Sequence, residues 1–234
     1  MIKKIISGLL CSALLMGSCV TSQNKTSTMQ KEVTEIAIYR IAKEKNSEID
    51  LLLNSFKEKV SKLKGYKDYL TLQDIKTPNI YIDIVHWDNI ENALNAAETV
   101  ENDTIYKPFI SVMDSTIYYS EFYTYKSFYK SKNKNLGGKK TTEVVVYQLK
   151  SEKIEGYEKI ANATNEFLNK QKGFISREIL QDYKDKGVFI DIVEWENIFD
   201  AQAAMNSSRK ETSLIPFFGA TEKIISSSHY SYFR

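Results

Sequence analysis

The sequence is poor in the residues that build covalent or metal-based scaffolds. Its 234 residues include two cysteines, two histidines, three prolines and nine glycines. Both cysteines, Cys11 and Cys19, precede residue 20, so the body of the chain offers no thiol for a disulfide, a thiolate nucleophile or a zinc-thiolate site. His86 and His229 share no His-x-x-x-His spacing, and there is no Gly-rich phosphate loop and no nucleophile elbow. Zinc catalysis, nucleotide binding and Ser-His-Asp chemistry are therefore unsupported, and the sequence calls for no metal and no cofactor. Charge of one sign is not in excess either: 32 basic against 30 acidic side chains leave no field that would recruit nucleic acid. The scarcity of Gly and Pro favours regular helices and strands over a loop-rich scaffold. An apolar content of 42%, with 12% aromatic, is enough to build real cores.

The N-terminus reads as an export signal. Lys3 and Lys4 form a charged start, and the apolar run Ile5 to Met16 is shorter than the roughly 20 residues a membrane-spanning helix needs. The run ends in Leu-Met-Gly-Ser-Cys19, which resembles the bacterial lipobox, with Met16 standing where Leu is usual. The resemblance implies acylation of Cys19 and a lipid-anchored protein in the bacterial cell envelope, outside the cytoplasm. Cleavage near Ser18 and release of a soluble protein is the alternative. The polar stretch from Val20 to Glu32 has nothing to bury and reads as a flexible tether.

What the chain has in quantity is itself, twice. Ile80-Tyr-Ile-Asp-Ile-Val-His-Trp-Asp-Asn-Ile90 returns 108 residues later as Val188-Phe-Ile-Asp-Ile-Val-Glu-Trp-Glu-Asn-Ile198, identical at seven of eleven positions. The same offset aligns Glu35 with Glu143, Tyr39 with Tyr147, Gly65 with Gly173, Asp74 with Asp182 and Pro108-Phe109 with Pro216-Phe217. Within the first copy, Glu35 to Ile41 is a strand by its β-branched content. Ile49, Leu52, Leu53, Phe56, Val60 and Leu63 follow helical spacing over about Ser47 to Lys64, with Gly65 as the stop. Tyr66 to Gln73 and Ile80 to His86 are further strands around a Pro-Asn turn. Asp88 is placed to cap the next helix, with Glu91 at capping-box spacing and Ile90, Ala93, Leu94 and Ala97 as its buried stripe. A last strand covers roughly Ser115 to Tyr125. Each half therefore reads βαββαβ, the ferredoxin-like pattern. The fold class is α+β: two tandem ferredoxin-like repeats packed into an intrachain pseudo-dimer resembling a dimeric α/β barrel. The organisation is residues 1–19 signal and lipobox, 20–32 tether, 33–126 first repeat, 127–141 a Lys/Gly linker and 142–234 second repeat. A monomer suffices, because both halves sit on one chain.

Two repeats of this pattern, each with Asp-x-x-x-Trp leading into an Ala-containing helix and a Pro-Phe segment beyond it, resemble the dimeric α/β barrel superfamily. Within it they resemble the antibiotic biosynthesis monooxygenase (ABM) domains. His229-Tyr230 resembles a His-aromatic pair of some members; the first repeat departs there, with Glu121-Phe122. The resemblance implies a pocket for a small hydrophobic or aromatic molecule, which the protein binds and, if it is an enzyme, oxidises without a cofactor. Trp87 and Trp195 would line that pocket, together with Tyr39, Tyr147 and His229. Asp83 and Asp191 are the candidate catalytic groups: each is alone in an Ile-Asp-Ile-Val strand, where a carboxyl of raised pKa suits a general base. The alternative is a carboxylate satisfied by Arg40, a Lys, a Tyr hydroxyl or backbone N–H groups, with the tryptophans as plain core residues. Two other roles stay open: a non-catalytic envelope module that makes protein contacts, and haem binding or degradation, which needs a histidine in the cavity.

Overall fold

The computed structural model describes residues 31–45, 47–129 and 140–233. The signal segment, Cys19, and most of the tether and linker lie outside the described residues. The first repeat runs β1 (Val33–Ile41), α1 (Ile49–Val60), β2 (Tyr66–Asp74), β3 (Ile80–Trp87), α2 (Ile90–Asn102), a short α3 (Lys107–Ile110) and β4 (Met113–Tyr129). The second repeats it as β5 (Thr141–Leu149), α4 (Tyr157–Asn169), β6 (Phe174–Asp182), β7 (Val188–Trp195), α5 (Ile198–Ser208), α6 (Ile215–Ala220) and β8 (Thr221–Tyr232). All strand pairings are antiparallel, and the order β1-β3-β2-β8-β5-β7-β6-β4 closes into one eight-stranded barrel. The expected tandem ferredoxin-like arrangement is the one the chain forms.

Period-two alternation decides which residues go where. One face of each strand points into the barrel, where Ile36, Ile38, Ile82, Ile84, Val144, Val146, Leu180 and Ile190 meet Phe122 and Tyr230 in a single apolar cluster. The opposite face carries Tyr39, Tyr81, Val85 and Trp87 toward the helices of the first repeat, and Tyr147, Phe189, Val193 and Trp195 toward those of the second. Each buried branched aliphatic contributes about 1.5–3 kcal/mol, against at most about 1 kcal/mol for a surface ion pair. The filled interior therefore sets the register. The two seams that close the barrel differ: β4 pairs with β6 through seven residues, from Phe122↔Asp182 to Tyr129↔Ser176, while β2 pairs with β8 through three, from Leu72↔Tyr232 to Asp74↔Tyr230.

Three local expectations are corrected. Helix α1 stops at Val60, short of Lys64, because Lys62 and Leu63 bond back to the Lys59 and Val60 carbonyls in a tight last turn. Strand β4 is longer than Ser115 to Tyr125, because its second half serves the seam with β6. Asn89, not Asp88, caps α2, its side chain accepting from the Asn92 N–H. Asp88 instead accepts from the Asn89 and Asn92 side-chain amides, and the buried stripe becomes Asn92, Ala93 and Ala96.

This joint also explains the duplicated glycine. Gly65 and Gly173 hold φ of +80° and +73°, where side chains are strained. A Cβ on Gly65 would come within 2.3 Å of Asp88 Oδ1, and one on Gly173 within 2.4 Å of Asp200 Oδ2. Gly65→Ala and Gly173→Ala are each expected to cost about 2 kcal/mol or more; urea unfolding that shows either variant as stable as the parent would contradict this.

Candidate functional site

The two conspicuous aspartates take the same place in the two repeats and acquire different partners. Asp83 and Asp191 both point from the sheet toward the first helix of their repeat, and both are buried. Asp83 accepts two hydroxyl bonds, from Tyr69 to Oδ2 and from Thr71 to Oδ1, each 2.6 Å. Burial raises its pKa, and the Thr71 and Tyr69 hydroxyls offset part of that rise. No cation bonds it. Asp191 is clamped by Arg177, whose Nε and Nη2 donate to Oδ2 at 3.0 and 2.6 Å, while the Tyr147 hydroxyl donates to Oδ1 at 3.0 Å. Arg177 is fully buried and also donates from Nη1 to the Ala161 carbonyl of α4 at 2.9 Å. Burial by itself would lower the Arg177 pKa; the charge of Asp191, the neighbouring Tyr157 and Tyr147 hydroxyls and the hydrogen bond to Asp191 together outweigh it and raise the pKa. At the offset of 108, the residue matching Arg177 is Tyr69.

The covering helices are held accordingly. Arg177 bonds α4 to the sheet beneath it. Helix α1 lies over Asp83 through apolar and aromatic packing: Phe56 contacts Phe109 at 4.5 Å between ring centroids, Tyr106 at 5.7 Å and Tyr69 at 6.5 Å. Its hydrogen bond to a neighbouring element is at the surface, from Lys59 Nζ to the Ile105 carbonyl. Neither α1 nor α4 has a side-chain N-cap, whereas α2 and α5 are both capped by Asn.

The remaining predicted residues divide between the two clusters. Tyr39 stacks on Tyr81 at 5.9 Å and meets Phe109 edge-on. Its hydroxyl is near enough to Asp83 for that charge to raise its pKa, after burial as the main cause, yet it makes no hydrogen bond of acceptable geometry. Tyr147 stacks on Phe189 and shares a short hydroxyl bond with Tyr157. Trp87 and Trp195 sit farther along β3 and β7 than the aspartates and are packed into core clusters. The Trp195 indole N–H donates to Glu143 at 3.0 Å, while that of Trp87 is buried without a geometric partner, beside Glu35. His229 lies on β8 across from Glu143, its Nε2 buried and unpartnered. His86 is committed to Asp68 at 2.6 Å on the surface. Asp83 and Asp191 therefore belong to separate clusters and do not form a carboxylate pair.

Sequence reasoning missed Arg177, Tyr69, Thr71 and the enclosed carboxyls of Glu35 and Glu143. Burial raises the Glu35 pKa to about 8, with the charge of Glu121 across the β1–β4 pair adding to it, and raises that of Glu143 to about 7. Two open depressions on the surface, of about 600 and 550 Å³, are lined by residues at α4 around Glu155–Glu166 and at α2 around Asn95–Asp103; neither touches Asp83, Asp191, Trp87, Trp195 or His229. Neither depression is the expected helix–sheet cavity. Neither histidine lines either of these depressions. Among the described residues no cluster of three His, Cys, Asp or Glu side chains is placed to hold a metal ion, and no helix is long and apolar enough to cross a membrane.

Comparison with known proteins agrees with this architecture. Residues 141–212 match the family model described as antibiotic biosynthesis monooxygenase. An anthrone oxidase-like protein superposes with a TM-score of 0.68 at 12% identity, over 88% of this chain and 92% of its own. Chlorite dismutase from Candidatus Nitrospira defluvii, solved with imidazole, gives 0.61 at 9% identity, covering 88% and 93%. A candidate monooxygenase from Fusobacterium nucleatum gives 0.58 at 10% identity, covering 87% and 92%. A search of curated proteins returns no match. The chain is thus a tandem barrel of the dimeric α/β type. Its second repeat carries an ABM-like domain.

Two outcomes test this account of the carboxyls. Arg177→Met leaves Asp191 buried without its cation and is expected to cost about 3–5 kcal/mol of stability, most of it regained in Arg177→Met/Asp191→Asn; equal losses in both, read by urea unfolding, would contradict the clamp. Glu35 has a folded pKa of about 8 against an ordinary 4.5 and binds its proton more tightly when folded, so it stabilises fully below 4.5 and loses that contribution as pH rises through 8. Glu143 does the same up to about 7, and His229, lowered by burial, acts oppositely below 6.5. Glu35→Gln is expected to flatten the fall in stability between pH 4.5 and 8; an unchanged slope would count against an enclosed, protonated Glu35.

Proposed function

We propose that this protein binds a small hydrophobic or aromatic molecule beneath α1 of the first repeat, and that Asp83 removes a proton from it. The observation that carries the reading is the difference between the two aspartates. A base must have no permanent cation on its carboxylate and an environment that raises its pKa toward the working pH. Asp83 meets both conditions and Asp191 does not. Tyr39, Tyr69, Phe56 and Phe109 supply aromatic walls for a planar ligand. Entry requires α1 to move off the sheet, which a footing of mainly apolar and aromatic contacts permits and the Arg177 tie of α4 does not. Removing a phenolic or enolic proton leaves an electron-rich anion, and oxidation, where it follows, passes electrons from that anion to dioxygen as the oxidant. The family description matched by the second repeat supports a monooxygenase-type reaction of this kind.

The protein acts, in this reading, as an exported monomer anchored at the cell envelope through lipid on Cys19, with no nucleic-acid partner. A second reading, a non-catalytic envelope module, is favoured by one observation: both helix–sheet layers are packed closed.

Mass spectrometry of protein purified from its own membranes addresses both. The expected result is an acylated Cys19 N-terminus and a copurified aromatic molecule; with no ligand retained, the module reading stands. With a hydroxylated aromatic substrate, Asp83→Asn, which is nearly isosteric, is expected to slow turnover by about 100-fold or more, and unchanged turnover would remove Asp83 from the chemistry.

A further inference from the structure

Asp83 and Asp191 each have a cation nearby, but the two cations stand at different distances. In the second repeat it is Arg177, bonded directly to Asp191. In the first it is Lys57, on the face of α1 that covers the sheet. Its ammonium sits 5.0 Å from the centroid of the Tyr69 ring, and the Tyr69 hydroxyl in turn bonds Asp83. The tyrosine thus spaces the cation from the carboxyl. Lys57 is half-buried, and among the described residues no carboxylate lies within ion-pair distance of it. Burial draws its pKa down, and the charge of Asp83 partly restores it. The matching residue in the second repeat is Asn165, so the charge is peculiar to the first cleft. An ammonium taken partly out of water without an anion is unfavourable unless something negative visits it.

We infer that Lys57 selects the ligand of the first-repeat cleft, favouring molecules whose oxygen ionises there: phenols and enols. The O–H bond breaks, the proton passes to the Asp83 carboxylate, and the electron pair stays on the ligand oxygen, whose new negative charge Lys57 stabilises. Had Lys57 paired with Asp83 directly, base and electrophile would have cancelled one another. Tyr69, standing where the second repeat has Arg177, keeps both available. This assignment rests on the proposed cleft, and its test separates the two.

The probes are para-nitrophenol, whose phenolate absorbs visibly, and para-nitroanisole, the methyl ether of the same shape that cannot ionise. Wild-type protein is expected to bind both and to lower the apparent pKa of the bound phenol. Lys57→Met, which keeps most of the aliphatic stem, is expected to weaken para-nitrophenol roughly tenfold and to raise its bound pKa by about one unit. The same variant should leave para-nitroanisole within about twofold, and Lys57→Arg should restore phenol binding. Near-UV circular dichroism of each variant confirms that the core is intact. Equal weakening of both probes would make Lys57 a packing residue, and weakening of neither would remove it from the site; either result overturns the inference while sparing the cleft. Failure of wild-type protein to bind either probe overturns the cleft itself.

Discussion

A carboxyl group removed from water must be neutralised, bonded or paired, and two turns of this requirement shape the whole molecule. The doubled Ile-Asp-Ile-Val strand places one aspartate under the first helix of each repeat. In the second repeat a buried guanidinium answers it, and the same guanidinium reaches the Ala161 carbonyl and fixes α4. In the first, two hydroxyls answer it and leave α1 resting on aromatic rings. One repeat ties the shared position to its covering helix through a guanidinium, and the other bonds it to hydroxyls of the neighbouring strand. The half that matches the ABM family model is the one whose aspartate is paired with arginine.

The fold was largely legible because its signals are periodic and occur twice. Alternation in Ile80 to Trp87 separates Ile82 and Ile84, which enter the barrel, from Tyr81, Asp83 and Val85, which face the helices. Agreement of the two halves at a constant offset strengthens every element reading, since a chance pattern seldom recurs in register. Boundaries were less visible. The end of α1 depends on i→i+3 bonds in its last turn, and the length of β4 depends on a seam with a strand of the other repeat; neither is written in local spacing. The cap of α2 turned on which of two adjacent residues, Asp88 or Asn89, took the extended conformation.

The site was legible only in part. Asp83, Asp191, Trp87 and Trp195 are conspicuous because they interrupt apolar strands. Their partners are not, because Arg177 and Tyr69 lie on β6 and β2, where polar residues are ordinary and burial depends on the covering helix. One signal was available: a position that is Tyr in one repeat and Arg in the other, on the strand neighbouring each aspartate, marks where the two copies had to be answered differently. Glu35 and Glu143 were visible as an aligned pair, but their enclosure follows from the helix layer and from Glu121 across the β1–β4 pair, which strand periodicity does not convey.

The unequal seams give the barrel a direction of weakness. A cylinder closed by a long ladder on one side and a short one on the other does not loosen uniformly; it parts along the short ladder first, and the rest stays attached through the long one. Backbone amides near Leu72 and Tyr232 should therefore exchange with solvent before those near Tyr123 and Leu180, with the two repeats still joined like the covers of a book along the spine that β4 and β6 form. In a duplicated protein this orders the loss of structure: the repeats separate at one margin before either dissolves.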